Sequence, residues 1–154
     1  MSQIQLIECD PGDPAALVCL DRYYAELAGR FDGGFEVSRS RDPVAGQLVR
    51  PLGSFVVALC SAVPVGCIAL KGSGGSMAEI KRMWLDPAQR GTGLARRLMT
   101  QAEEIARELG IKTLRLDTNR ALTKAIATYR HWGWTEIPRF NDDPYAEVFF
   151  AKAL

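Results

Sequence analysis

The junction Leu85-Asp-Pro-Ala-Gln-Arg-Gly-Thr-Gly-Leu-Ala-Arg-Arg-Leu98 restricts the possible folds more than any other stretch of the chain. A β-rich run stops at Pro87, which cannot donate to a sheet ladder. Apolar residues then recur at helical spacing, Leu94, Leu98, Ala102, Ile105 and Leu109, and Gly110 follows where a left-handed cap belongs. Such a pattern reads as a strand, a tight turn and a helix that lays one face on a sheet. Gly91 and Gly93 lie in the turn, where the helix must start. The first amides of a helix have no intrahelical partner and carry a partial positive charge, so the start is a ready anion site. Without Cβ atoms at 91 and 93, the amides of about Thr92 to Ala95 can converge on one phosphate, with Arg90, Arg96 and Arg97 adding charge. The plain alternative is a tight turn with no ligand.

The remaining pattern supplies the sheet. Ile4 to Glu8 reads as a strand and Pro14 to Gly29 as a helix, with Leu17, Leu20, Tyr24 and Leu27 on one face. Residues 31–50 show little periodicity and read as a loop with a short helix. Phe55 to Cys60 and Val65 to Lys71 read as a hairpin across Ser-Ala-Val-Pro, and Met77 to Asp86 follows as the next strand. Thr113 to Asp117 reads as a strand, Thr123 to Trp132 as a helix, and Trp134 to Ile137 and Val148 to Lys152 as the last strands. The expected fold is a single α/β (α+β) domain over 1–154, with one mixed, mostly antiparallel sheet of six to seven strands and about four helices.

Composition removes several functions from consideration. Nineteen Lys and Arg nearly balance eighteen Asp and Glu, so a net charge of +1 creates no field to gather nucleic acid or an anionic membrane. No apolar run approaches the length of a membrane span, and the N-terminus lacks the basic flank and apolar core of a signal peptide. Cys9, Cys19, Cys60 and Cys67 lack the paired spacing of a metal or redox site, so no metal is expected and buried thiols in a reducing cytoplasm are.

Two phosphate ligands compete for the turn on residue grounds. A dinucleotide fold needs Gly-x-Gly-x-x-Gly, but Arg96 stands at the third glycine and little chain follows to extend the sheet. A P-loop is excluded because no Gly-Lys-Ser/Thr closes the turn. Arg90-Gly-Thr-Gly93-Leu-Ala95, after a strand ending Met83-Trp-Leu-Asp-Pro87 and before an amphipathic helix, resembles the Q/R-x-x-G-x-G/A signature of the GNAT superfamily of acyl-CoA-dependent N-acyltransferases. Ala125-Ile-Ala-Thr-Tyr-Arg-His-Trp-Gly-Trp134 resembles a second element of that family, a tyrosine shortly before Gly-aromatic.

The resemblance implies a splayed strand pair and acetyl-CoA as donor. The pyrophosphate would lie on Arg90, Gly91, Thr92, Gly93, Leu94, Ala95 and Arg96, the pantetheine arm along Met83 and Leu85, and Asn119 would bond the cofactor. It also implies direct acyl transfer to a primary amine in a ternary complex. Tyr129 would be the general acid and Glu79 the base, directly or through water; a packed core tyrosine and a solvated strand glutamate are the alternatives for each. Its acceptor pocket would draw on Tyr23 to Phe35 and on the loop Arg139 to Tyr145. Phe31, Asp32, Asp142 and Asp143 are the substrate-binding candidates there, and Asp32, Glu36, Asp142 and Asp143 suggest a cationic amine, of a small molecule or a peptide. His131 reads as a surface residue or helix cap, and Trp84, Trp132 and Trp134 as core. Exposed strand edges make a homodimer plausible. A non-catalytic acyl-CoA-binding sensor or interaction module is the alternative function, and a nicotinamide-binding oxidoreductase ranks third.

Overall fold

A computed structural model describes residues 3–30 and 45–154. The elements run β1 (Ile4–Glu8), α1 (Pro14–Arg30), a 3-10 turn (Ala45–Leu48), β2 (Ser54–Cys60), β3 (Val63–Gly72), β4 (Met77–Leu85), a second 3-10 turn (Pro87–Gln89), α2 (Leu94–Glu108), β5 (Thr113–Thr118), α3 (Thr123–His131), β6 (Thr135–Ile137) and β7 (Val148–Ala153). Seven strands form one sheet in the order β1-β2-β3-β4-β5-β7-β6. Every neighbouring pair is antiparallel except β4 with β5. The described residues contain three α-helices where about four were expected.

Each sheet face has its own helix cover. On one face α2 inserts Leu94, Leu98, Met99, Ala102 and Ile105 among Val56, Ile68, Leu70, Ile80, Leu114 and Leu116. Each large side chain buried this fully contributes about 1.5–3 kcal/mol, so this stripe is the main anchor of the glycine turn that precedes it. On the other face Ala16 and Cys19 of α1 meet Phe55, Val57, Cys67, Ala69 and Trp84.

Two irregularities in β4 shape the gap beside it. Ala69 pairs with Lys81 but Cys67 pairs with Trp84, so one extra residue bulges from β4. Within that bulge Arg82 has φ 50°, a strained value for a non-glycine residue. The bulge reverses the pleat, which puts Trp84 in the core under α1 while Met83 and Leu85 pack toward α2. Ahead of the bulge, after Glu79, β4 and β5 separate. Only Met77, Ala78 and Glu79 pair with β5, at Thr113, Leu114 and Arg115, and the rest of β4 leaves its ladder groups on that side free of β5. This is the expected splay. Where the ladder stops, Lys81 of β4 reaches Asp117 of β5 at 2.9 Å.

The hairpin between β2 and β3 differs from the expectation. Ser-Ala-Val-Pro is not all loop: Ser61 and Ala62 alone make the turn, with φ of 50° and 68°. Val63 and Pro64 belong to β3, where Pro64 sits at a register shift opposite Leu59. Positive dihedrals at two consecutive residues are the requirement of a tight primed turn, here met without glycine, which is why the residue pattern hid it.

Candidate active site

The site grows from the end of β4. Asp86 accepts from the Ala88 amide and starts the 3-10 turn Pro87–Gln89, and Thr92 donates its hydroxyl to the Gln89 carbonyl. Gly91 and Gly93 then take φ of 79° and 89°, and Gly93 caps α2 with no side-chain bond to the first helical amides. A Cβ at either glycine would meet nothing within 4 Å, so what glycine supplies is the left-handed dihedral. The first turn of α2 carries arginines and no acidic residue. Donor amides without a side-chain acceptor, beside cationic side chains, favour an anion.

A cleft of about 350 Å³ opens from this turn along β4. Met83, Leu85, Arg90, Gly91, Gly93 and Ala95 line one wall, Tyr129 and its α3 neighbours the facing wall, and Tyr23, Glu26, Leu27 and Arg30 of α1 the third. The structure therefore brings together most of the sequence-predicted donor residues and one of the two catalytic candidates. Leu94 is buried beneath α2, so only its backbone faces the turn. Arg96 lies over the Trp132 ring at 5.1 Å, and Trp132, expected in the core, lines the cleft as does an edge of Trp84. Trp134 is core as expected, and His131 is the exposed last residue of α3.

Tyr129 is held by aromatic neighbours: Trp132, Trp134 and Phe150 lie at centroid distances of 6.4, 6.2 and 6.0 Å. Burial, and then the Asp117 carboxylate, push its hydroxyl up to about 12, because both oppose a tyrosinate. Tyr23 on α1 is raised as well, by burial first and by Tyr129 next. Both phenols keep their protons at neutral pH. As proton donors they are suited to a leaving anion, not to abstraction.

Other predicted residues lie elsewhere. Glu79 does not line the cleft; its carboxylate is shared by Arg115 at 3.5 Å and by Lys71 and Lys81 at 3.7 Å. The Asn119 amide donates to the Tyr145 carbonyl at 3.0 Å and accepts from the Ala121 amide at 2.9 Å. That commitment braces the exit of β5 against the 138–147 loop. Asp142 and Asp143 are also outside the cleft lining; Asp143 is buried and accepts from the Tyr145 amide. Phe31, Asp32 and Glu36 lie outside the described residues. Glu26 and Arg30 line the cleft within the stretch Tyr23 to Phe35 expected there, though sequence reasoning did not single them out, and it missed Lys124. Glu26 and Arg30 lie one and two turns beyond Tyr23, so the helical spacing of α1 was a usable signal.

Comparison with known proteins follows the same geometry. Residues 20–134 match the acetyltransferase (GNAT) family. The chain belongs to the GNAT family. The GNAT match includes most of α1 and all of β4, the glycine turn, α2 and α3, the elements that line the cleft. An IAA acetyltransferase of Azospirillum brasilense is 38% identical over 112 residues, covering 70% of this chain and 72% of that protein. The uncharacterized N-acetyltransferase YjgM of Escherichia coli is 43% identical over 72 residues, covering 47% of this chain and only 43% of the relative's length. In fold, a Staphylococcus aureus GNAT acetyltransferase superposes with a TM-score of 0.84 at 19% identity, over 98% of this chain and 99% of that one. The PaiA N-acetyltransferase of Thermoplasma acidophilum, solved with coenzyme A, gives 0.75 at 20% identity, with 99% of each chain covered.

Proposed function

We propose that this GNAT chain is an acetyl-CoA-dependent N-acetyltransferase in which a primary amine of a small molecule or peptide attacks the thioester directly. The observation that carries the reading is one cleft holding the uncapped glycine turn, the splayed edge of β4 and the protonated Tyr129. The amides from Gly91 to Arg96 would hold the donor's pyrophosphate. The free side of β4 at Met83 and Leu85 would pair with the amide-bearing pantetheine arm as an added strand does.

Bond making and breaking follow from these positions. The neutral amine nitrogen attacks the carbonyl carbon, a strand amide near Met83 stabilises the developing oxyanion, and the C–S bond breaks. Tyr129, which burial keeps protonated, gives its proton to the departing thiolate. The amine's proton leaves through water. Glu79 sits behind the cleft among three cations, so we assign it a part only through such water, and Asn119 a bracing part. Tyr23 and Leu27 would form the acceptor side. The four cysteines are free, which suits a reducing cytoplasm. Burial pushes the Cys67 thiol up, which argues against Cys67 as a nucleophile.

Calorimetric titration with acetyl-CoA, coenzyme A and NADH, repeated with Gly93→Asp, tests the reading. Binding of both coenzyme A species but not NADH, lost in the variant, is expected. Acetylated products from a panel of amines complete the test. Binding without turnover on any amine would favour a sensor, and failure of wild type to bind coenzyme A would end the proposal.

A further inference from the structure

Arg90 opens the glycine motif and lines the cleft, and its guanidinium is already engaged. It donates to the Glu26 carboxylate of α1 and to the Leu85 carbonyl at the end of β4, the latter at 3.1 Å. Arg30 lies 3.7 Å from the same Glu26 oxygen. One turn earlier, Arg22 of α1 bonds Asp86 at 3.1 Å. Two ion pairs with opposite polarity, Arg22 to Asp86 and Glu26 to Arg90, thus pin one side of α1 to the β4–α2 junction. Of the two, only the second involves a cleft-lining cation. Among the described residues Glu26 is also the only carboxylate in the lining.

We propose that Glu26 and Arg90 form an exchangeable latch, in which a pyrophosphate bound at the glycine turn takes the Arg90 guanidinium from Glu26 and so releases the last turn of α1. This inference rests on the donor site proposed above. The physical ground is competition for one cation: a pyrophosphate offers more charge and more acceptor oxygens than a carboxylate shared with Arg30. The second Arg90 contact exchanges in the same event. A pantetheine amide that pairs with the Leu85 carbonyl competes with the guanidinium now bonded there.

The consequence reaches the acceptor side. Tyr23, Glu26, Leu27 and Arg30 follow one another along a single face of α1, so releasing Glu26 frees the wall that the acceptor must meet. Linkage requires reciprocity: whatever strengthens the Glu26–Arg90 pair weakens donor binding by the same factor. Glu26 is therefore a positioning residue that acts through Arg90.

Titration of the purified full chain with coenzyme A separates the possibilities. Exposed to partly exposed ion pairs contribute about 0.2–1 kcal/mol, so Glu26→Gln is expected to tighten coenzyme A about 1.4-fold to fivefold. In an Arg90→Gln background the same change should have no effect, because the cation it acts through is gone. Arg22→Met, which removes the neighbouring pair, should leave affinity unchanged. An equal gain from Glu26→Gln with and without Arg90 would mean simple repulsion and would overturn the latch. So would no gain, or an equal gain from Arg22→Met, while wild type still binds coenzyme A. If wild type and all variants fail to bind, the functional reading itself is wrong and the latch falls with it.

Discussion

Removing the Tyr129 hydroxyl is the most direct test at the scale of one residue. Phe keeps the ring among Trp132, Trp134 and Phe150, so the fold should persist. Positioned proton transfer is worth about 10²–10⁴-fold, so Tyr129→Phe should lower kcat by that range with little change in the KM for acetyl-CoA. The pH profile should carry a matching signature. The phenol remains protonated up to about 12, so no alkaline loss assignable to Tyr129 should appear in the usual assay range. A wild-type limb falling near pH 9 that vanishes in Tyr129→Phe would show that the phenol titrates well below the value its burial sets. Much of this was legible because turn chemistry is local: the dihedrals of Gly91 and Gly93 are those the residue pattern demanded. Glu79 was less legible. Strand position alone says nothing about cations arriving from β3 and β5, and Lys71 and Arg115 are those cations.

At the scale of elements, the β4–β5 splay and the edge strand β1 each depend on a few charges. Lys81 and Asp117 are each 13% exposed and span the two strands where the ladder ends. Lys81→Met leaves Asp117 with the Asn141 amide and without its cation, a loss of about 1–3 kcal/mol that a urea midpoint would show. A wider gap should also raise the KM for acetyl-CoA. On β1, burial alone would raise the Glu8 carboxyl, but hydrogen bonds from Arg50 and Ser54 and the Arg50 charge outweigh it and hold it below 4.5. A depressed folded value contributes stability that is complete above about pH 4.5 and is lost as pH falls through it. The urea midpoints of wild type and Glu8→Gln should therefore differ near pH 7 and converge in acid. Most element boundaries followed from periodicity, and the α2 stripe most clearly. The short hairpin turn did not, since Ser61 and Ala62 adopt dihedrals that their chemistry does not advertise. Glu103, on the buried stripe of α2, was equally hidden: its partner Lys152 comes from β7, far along the chain.

For the whole molecule, the donor should act as a stabiliser. The cleft is bounded by α1, β4, α2 and α3, so a ligand that fills it ties both helix layers to one sheet. At a hundredfold excess over its Kd a ligand adds about 2.7 kcal/mol, which in a chain of this length raises Tm by roughly 5–10 °C. Acetyl-CoA should produce that shift in a thermal melt, and NADH should not. The bulge at Arg82 sets a further global rule. Because β4 gains one residue relative to β3 there, the sequence after it is read in the opposite phase of the pleat. Deleting that residue would act like a frameshift confined to one strand: Trp84 would turn toward α2, and Met83 and Leu85 away from it. Insertions in surface loops of this protein can be absorbed locally, whereas a single residue lost at Arg82 would scramble both cores and the cleft wall together.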